Sequence, residues 1–137
     1  MLDCTVDLHG RMMSTVATLN IRSASTDLLC LLGAIINSSL MGRYCKEKYV
    51  SSSYCGGLEF TPQMIESLPV PDLHETNSSL MTRIVENVKK ILTVDEEKQV
   101  CDLIQKTDEM VSRLYHVTST DGFDAGMACR NLPDVSQ

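Results

Sequence analysis

Two long amphipathic patterns, separated by a very short connection, constrain the fold most strongly, and both lie in residues 77–115. Apolar side chains recur there at three- and four-residue spacing, which predicts one helix over residues 77–92 and a second helix ending near residue 115. Thr93 and Glu96 have the spacing of a capping box, which predicts that the second helix begins there. So short a connection favours an antiparallel helix pair, although one bent continuous helix also fits.

A further helical region precedes this pair. The side chains of Ser25 and Asp27 can cap a helix that begins just before Leu28. Residues 28–36 are apolar on nearly every side, which is typical of a buried core helix. After Asn37 the apolar residues narrow to a stripe between charged residues, which predicts that the helix continues with one face in solvent.

The remaining elements are predicted to be short. Residues 5–9 and 12–21 alternate between apolar and polar side chains and predict two strands. Residues 58–60 predict another short strand, and Thr61 followed by Pro62 predicts a helical turn. Because two strands alone are marginally stable in water, the N-terminal pair needs a helix or a third strand behind it.

The predicted fold class is therefore α+β. It is mostly helical, with a small N-terminal antiparallel sheet packed on the core helix and a C-terminal helix pair over residues 77–115. Residues 1–117 form one predicted domain, and residues 118–137 form a flexible tail because glycine, proline and polar residues break all periodicity there.

Charge is distributed unevenly along the 137 residues, whose formal net charge is −6. Residues 1–50 hold five Lys/Arg against four Asp/Glu, whereas residues 51–137 hold seven against fourteen. The acidic excess is expected on the solvated backs of the helix pair. Residues 43–49 (RYCKEKY) are the one basic stretch with interleaved aromatic side chains, and they lead into a serine-rich loop.

The composition also bears on location. The apolar run at residues 28–36 is far shorter than the roughly 20 residues of a membrane-spanning helix. Asp3, Asp7, His9 and Arg11 interrupt any apolar core of a secretory leader. We therefore expect a cytoplasmic chain with no membrane partner, whose cysteines at 4, 30, 45, 55, 101 and 129 are reduced thiols.

No catalytic constellation is recognisable in the sequence. It contains no glycine-rich phosphate loop, no G-x-S-x-G or H-E-x-x-H motif, and no cysteine spacing that suits zinc. We therefore predict no catalytic, cofactor-binding or metal-ligating residue, and a chain that is not an enzyme by itself.

Three stretches, taken in order, resemble one known family. Residues 31–40 (LLGAIINSSL) resemble the "LLGILNSKL" helix of the TaqI-like C-terminal specificity domain of restriction-modification DNA methyltransferases, which is related to type I restriction specificity subunits. Residues 60–71 (FTPQMIESLPVP) are similar to its connector ending in "LPIP", and residues 108–118 (DEMVSRLYHVT) to its closing helix ending in "LYGLT". His116 stands where the family commonly has glycine, so it must accept a left-handed backbone.

The resemblance implies a non-catalytic target-recognition segment of a site-specific adenine methyltransferase or restriction enzyme, which contacts double-stranded DNA. Because the net charge is −6, we expect the isolated chain to bind DNA weakly. The candidate DNA-binding residues are Arg43, Lys46, Lys48, Tyr49, Ser52 and Tyr54. Two alternatives stay open: a helical module that docks to a methyltransferase subunit or forms a homo-oligomer through the helix pair, and a truncated remnant without activity.

Overall fold

The computed structural model describes residues 4–15, 18–49, 53–54, 57–58, 60–72 and 78–116. These residues form five helices and one minimal hairpin. The helices are α1 (Thr26–Ile36), α2 (Ser39–Lys48), α3 (Pro62–Glu66), α4 (Ser78–Ile91) and α5 (Glu97–Leu114). The hairpin pairs β1 (Ser53–Tyr54) with β2 (Gly57–Leu58) in antiparallel register. The predicted tail at residues 118–137 lies outside the described residues.

The core lies between α1, α4 and α5. The helices α4 and α5 pack along each other, and α4 also packs on α1. Because five residues join α4 to α5, this contact makes them an antiparallel pair, the arrangement that the short connection favoured, and not one bent continuous helix. Ile35, Ile84 and Val111 are almost completely buried at the centre of this core. The apolar stripes of the helix pair are thus largely buried within the chain itself.

Helix α1 begins as predicted. Ser25 is its N-cap, and the Ser25 hydroxyl accepts a hydrogen bond from the backbone N–H of Leu28 at 3.2 Å. The predicted continuation of this helix past Asn37 is wrong. Helix α1 ends at Ile36, and a separate helix, α2, begins at Ser39 with a bend of 60° between the two. Ser38 stabilises the break: its hydroxyl accepts from the N–H of Met41 and donates to the carbonyl of Ile35.

No single described helix is both long and apolar enough to cross a membrane, and only α1 and α2 taken together meet that length and composition.

The N-terminal sheet is absent, so the α+β class is wrong for the described part of the chain. Residues 4–15 and 18–25 contain no strand and run as irregular backbone. Hydrogen bonds from side chains replace those of a sheet. The Asn37 amide accepts from the N–H of Cys4 at 2.8 Å and donates to its carbonyl at 2.7 Å, and the Asp7 carboxylate accepts from the N–H of Met12. The alternating pattern was misleading because Met13, Leu19 and other apolar side chains of the segment stay exposed.

Of the predicted N-caps of α3 and α5, the first is confirmed and the second is wrong. Thr61 caps α3 through the N–H of Met64 and Pro62 is its first residue, as predicted. The prediction of a capping box at the start of α5 is wrong, because Glu96 is the N-cap of α5 and makes no side-chain capping bond. Thr93 is not free to cap α5, because its hydroxyl donates back to the carbonyls of Lys89 and Lys90 at the end of α4.

Candidate nucleic-acid interface

Helix α2 positions the basic residues that the sequence singled out. Met41 and Cys45 anchor one face of α2 in the core, and this leaves Arg43 and Lys46 exposed on another face. Lys46 and Lys48 lie in the last turn, where the carbonyl end of the helix dipole favours cations. Two of the three cations thus lie in the last turn of α2, and Arg43 lies near the middle of the helix.

Lys48 is held by two tyrosine rings. Its ammonium donates a hydrogen bond to the Tyr44 hydroxyl at 2.7 Å and lies 5.2 Å from the centroid of the Tyr44 ring. The Tyr49 ring centroid is 5.6 Å from the same ammonium. Both separations are within cation–π range. The hydrogen bond to Tyr44 raises the pKa of Lys48 above its ordinary value.

Tyr49 connects the end of α2 to α3. Its hydroxyl is 2.9 Å from the Ser67 hydroxyl, and the Ser67 hydroxyl in turn donates to the carbonyl of Met64 at 3.0 Å. Because a serine hydroxyl has one proton to donate, Tyr49 is the donor in the first bond. Tyr49 is half-buried, and its hydroxyl and ring are engaged by Ser67 and Lys48.

The other predicted residues are only partly placed. Ser52 lies outside the described residues, and Tyr54 is described only through its backbone, which pairs with Gly57 in the hairpin. The residue missing from the predicted set is Tyr44, which is the hydrogen-bond partner of Lys48. Its spacing of four residues from Lys48 on a helix was the signal that could have identified it.

The stretches that carry the family resemblance are joined to one another in the structure. Asp108 accepts hydrogen bonds from the backbone N–H and the hydroxyl of Ser39, and the Tyr115 hydroxyl donates to the carbonyl of Pro69 at 2.6 Å. His116 adopts the expected left-handed backbone, with φ of 56°. No protein-family model, curated protein or solved structure matches this chain, so the resemblance depends on these stretches alone.

Two of the described cysteines, Cys30 and Cys45, are buried free thiols. Burial raises the pKa of the Cys30 and Cys45 thiols, which keeps them protonated and poorly nucleophilic. Cys101 is disulfide-bonded, so the expectation of six reduced thiols is wrong at that position. Cys55 and Cys129 lie outside the described residues. Within the described residues, no group of three or more His, Cys, Asp or Glu side chains could hold a metal ion.

Proposed function

We propose that this chain is the non-catalytic C-terminal specificity segment of a restriction-modification DNA methyltransferase and that it contributes to binding double-stranded DNA. The observation that carries the proposal is the cationic end of α2. Lys46 and Lys48 are exposed in its last turn and Arg43 is exposed one turn earlier, and none of the three forms an ion pair with a carboxylate within the described residues. Lysine and arginine side chains in such a position contact phosphates and set the register of a protein on the duplex.

The bonds that fix the two ends of α2 support the same proposal. The Ser39–Asp108 bonds hold the first turn of α2 against α5, and the Tyr49–Ser67 bond holds the C-cap residue of α2 against the C-cap residue of α3. A helix fixed at both ends presents its cations in a defined arrangement, which phosphate recognition requires. Cofactor binding and methyl transfer would belong to another part of the parent methyltransferase.

The expected affinity is low and depends steeply on salt. A chain of net charge −6 repels DNA at long range, so binding depends on local phosphate contacts. Each phosphate contact contributes about 0.9 to the slope of log affinity against log salt, so three contacts give a slope of about 2.7.

A fluorescence-polarisation titration of a labelled duplex near 50 mM salt tests the proposal. Replacing Arg43, Lys46 and Lys48 with glutamine should weaken binding by at least about tenfold, since a single phosphate contact contributes about that factor at this salt concentration. The matched control replaces Arg11, Arg22 and Lys98, which are also exposed, and should bind nearly as the parent chain does. Absence of binding by the parent chain would exclude the proposal.

A further inference from the structure

Cations concentrate in a second place, between the two helices of the antiparallel pair. An open groove of about 450 Å³ runs between α4 and α5, and we call it the α4–α5 groove. The charged side chains that line it are Arg83, Glu86, Lys90, Lys106, Glu109 and Arg113. Residues 51–137 hold seven Lys/Arg and fourteen Asp/Glu, yet four of those cations and only two of those carboxylates line this groove. An acidic half of the chain therefore contains a locally positive surface.

The spacing of the four cations follows from the helices. Arg83 and Lys90 are seven residues apart on α4, and Lys106 and Arg113 are seven residues apart on α5. Seven residues are nearly two helical turns, so each pair shares a helix face with a separation of roughly 10 Å along the axis. Two cations from each helix therefore flank the groove along its length.

These cations are available to a ligand. All four side chains are exposed, and none is within 4.0 Å of a carboxylate oxygen in the described part of the chain. Their neighbour Lys89 behaves differently, because its ammonium is 2.6 Å from the Asp27 carboxylate and ties α4 to the first turn of α1. The helix pair thus satisfies one lysine internally and leaves the groove cations without a counter-charge in direct contact.

We propose that the α4–α5 groove binds the phosphodiester backbone of duplex DNA, as a second contact surface beyond the end of α2. This inference rests on the proposed function. Duplex DNA presents a phosphate about every 3.4 Å along each strand, so a surface with cations spread over roughly 10 Å can meet several phosphates. The guanidinium groups of Arg83 and Arg113 can each donate two parallel hydrogen bonds to a phosphate. Glu86 and Glu109 repel phosphates. Removing these two negative charges should therefore strengthen DNA binding, whereas removing the cations should weaken it.

Two pairs of variants test the groove by the same polarisation titration. The variant R83Q/R113Q should bind the duplex more weakly near 50 mM salt, by about tenfold for each of the two arginines that meets a phosphate. The control R22Q/K98Q lowers the net charge by the same two units at exposed positions outside the groove. The variant E86Q/E109Q should bind more tightly than its control D95N/D102N, and a variant that merely damaged the fold could not gain affinity.

The outcomes separate this inference from the proposed function. No binding by the parent chain removes both. If the parent chain binds and only the α2 substitutions weaken it, with both groove variants equal to their controls, the α4–α5 groove proposal alone is overturned. That result would direct attention to an acidic polypeptide as the ligand of the groove.

Discussion

The carboxylate of Asp108 accepts two hydrogen bonds from Ser39, one from its backbone N–H at 2.8 Å and one from its hydroxyl at 2.6 Å. Ser39 is the first residue of α2, where backbone N–H groups lack partners within the helix and the helix dipole favours a negative charge. The pair is partly buried and joins residues 69 positions apart in the chain. It thereby sets the position of the helix that carries the candidate DNA-binding cations.

Loss of this pair should destabilise the fold. Replacing Asp108 with alanine leaves the N–H of Ser39 without its partner and should lower the free energy of unfolding by about 1–3 kcal/mol. Urea unfolding measures the change. The control is Asp102→Ala on the exposed side of α5, which should stay within about 0.5 kcal/mol. A double-mutant cycle with Ser39→Ala should show coupling, and additive effects of the two substitutions would refute the bond from the Ser39 hydroxyl, since Ser39→Ala keeps the backbone N–H.

Two helical glycines should respond to alanine with opposite signs. A Cβ at Gly33 would lie 2.5 Å from Cγ2 of Val6, so the alanine must displace the Val6 side chain or its backbone, with an expected destabilisation of about 1–3 kcal/mol. A Cβ at Gly42 would meet nothing within 4 Å, so Gly42→Ala should stabilise α2 by about 0.5–1 kcal/mol. Thermal unfolding compares the two variants.

A compensating substitution provides the check on this interpretation. Val6→Ala removes the methyl group that the new Cβ would strike, so it should restore part of the stability that Gly33→Ala removes. If Gly33→Ala destabilises the chain equally with and without Val6→Ala, the close approach of the N-terminal segment to α1 is not what makes Gly33 necessary.

Replacing His116 with glycine should raise the free energy of unfolding, whereas replacing it with alanine should not. Its φ of 56° lies in the left-handed region, which costs a residue with a side chain about 1–2 kcal/mol. Glycine avoids that strain but loses more entropy on folding, so His116→Gly should gain roughly 0.5–1 kcal/mol in the free energy of unfolding. His116→Ala keeps the strain and should gain nothing. Equal urea midpoints for the two variants would argue against backbone strain at this position.

Tyr115 should make stability fall at alkaline pH. Burial raises the pKa of Tyr115 from 10 to about 12, and its hydroxyl donates to the carbonyl of Pro69. Because the folded state holds the proton more tightly than the unfolded state, this contribution is complete below pH 10 and is lost as the pH rises towards about 12. Tyr115→Phe should be less stable at neutral pH by about 1 kcal/mol and should show a flatter decline in urea midpoint between about pH 10 and about pH 12. Parallel declines in the two proteins would exclude Tyr115 as the titrating group.

The helices were predictable because their signals are local. Ser25 and Thr61 cap α1 and α3 through N–H groups three residues ahead, and the apolar spacing of α4 and α5 repeats within each helix. The prediction of an N-terminal sheet was wrong because a sheet depends on contacts that are not local. Strand formation needs a hydrogen-bonding partner, and alternation in residues 12–21 specifies faces without specifying that partner.

The candidate site was predictable only in part. Exposure of Arg43 and Lys46 follows from helical periodicity, and the spacing of four residues could have identified the Tyr44–Lys48 contact. The break at Asn37 and the Ser39–Asp108 pair depend on contacts between distant parts of the chain, such as the bonds of Asn37 to the backbone of Cys4. The four groove cations come together only because α4 and α5 fold back on each other.

Duplex binding at the α2 end is tested most sharply by its salt dependence, compared between the parent chain and R43Q/K46Q/K48Q from about 50 to about 200 mM salt. If the α2 cations each contact a phosphate, the slope of log affinity against log salt should be smaller in the variant by about 2.7. The control R11Q/R22Q/K98Q should keep the slope of the parent chain. Identical slopes for the parent chain and R43Q/K46Q/K48Q would contradict the assignment of the α2 end as a DNA-binding surface.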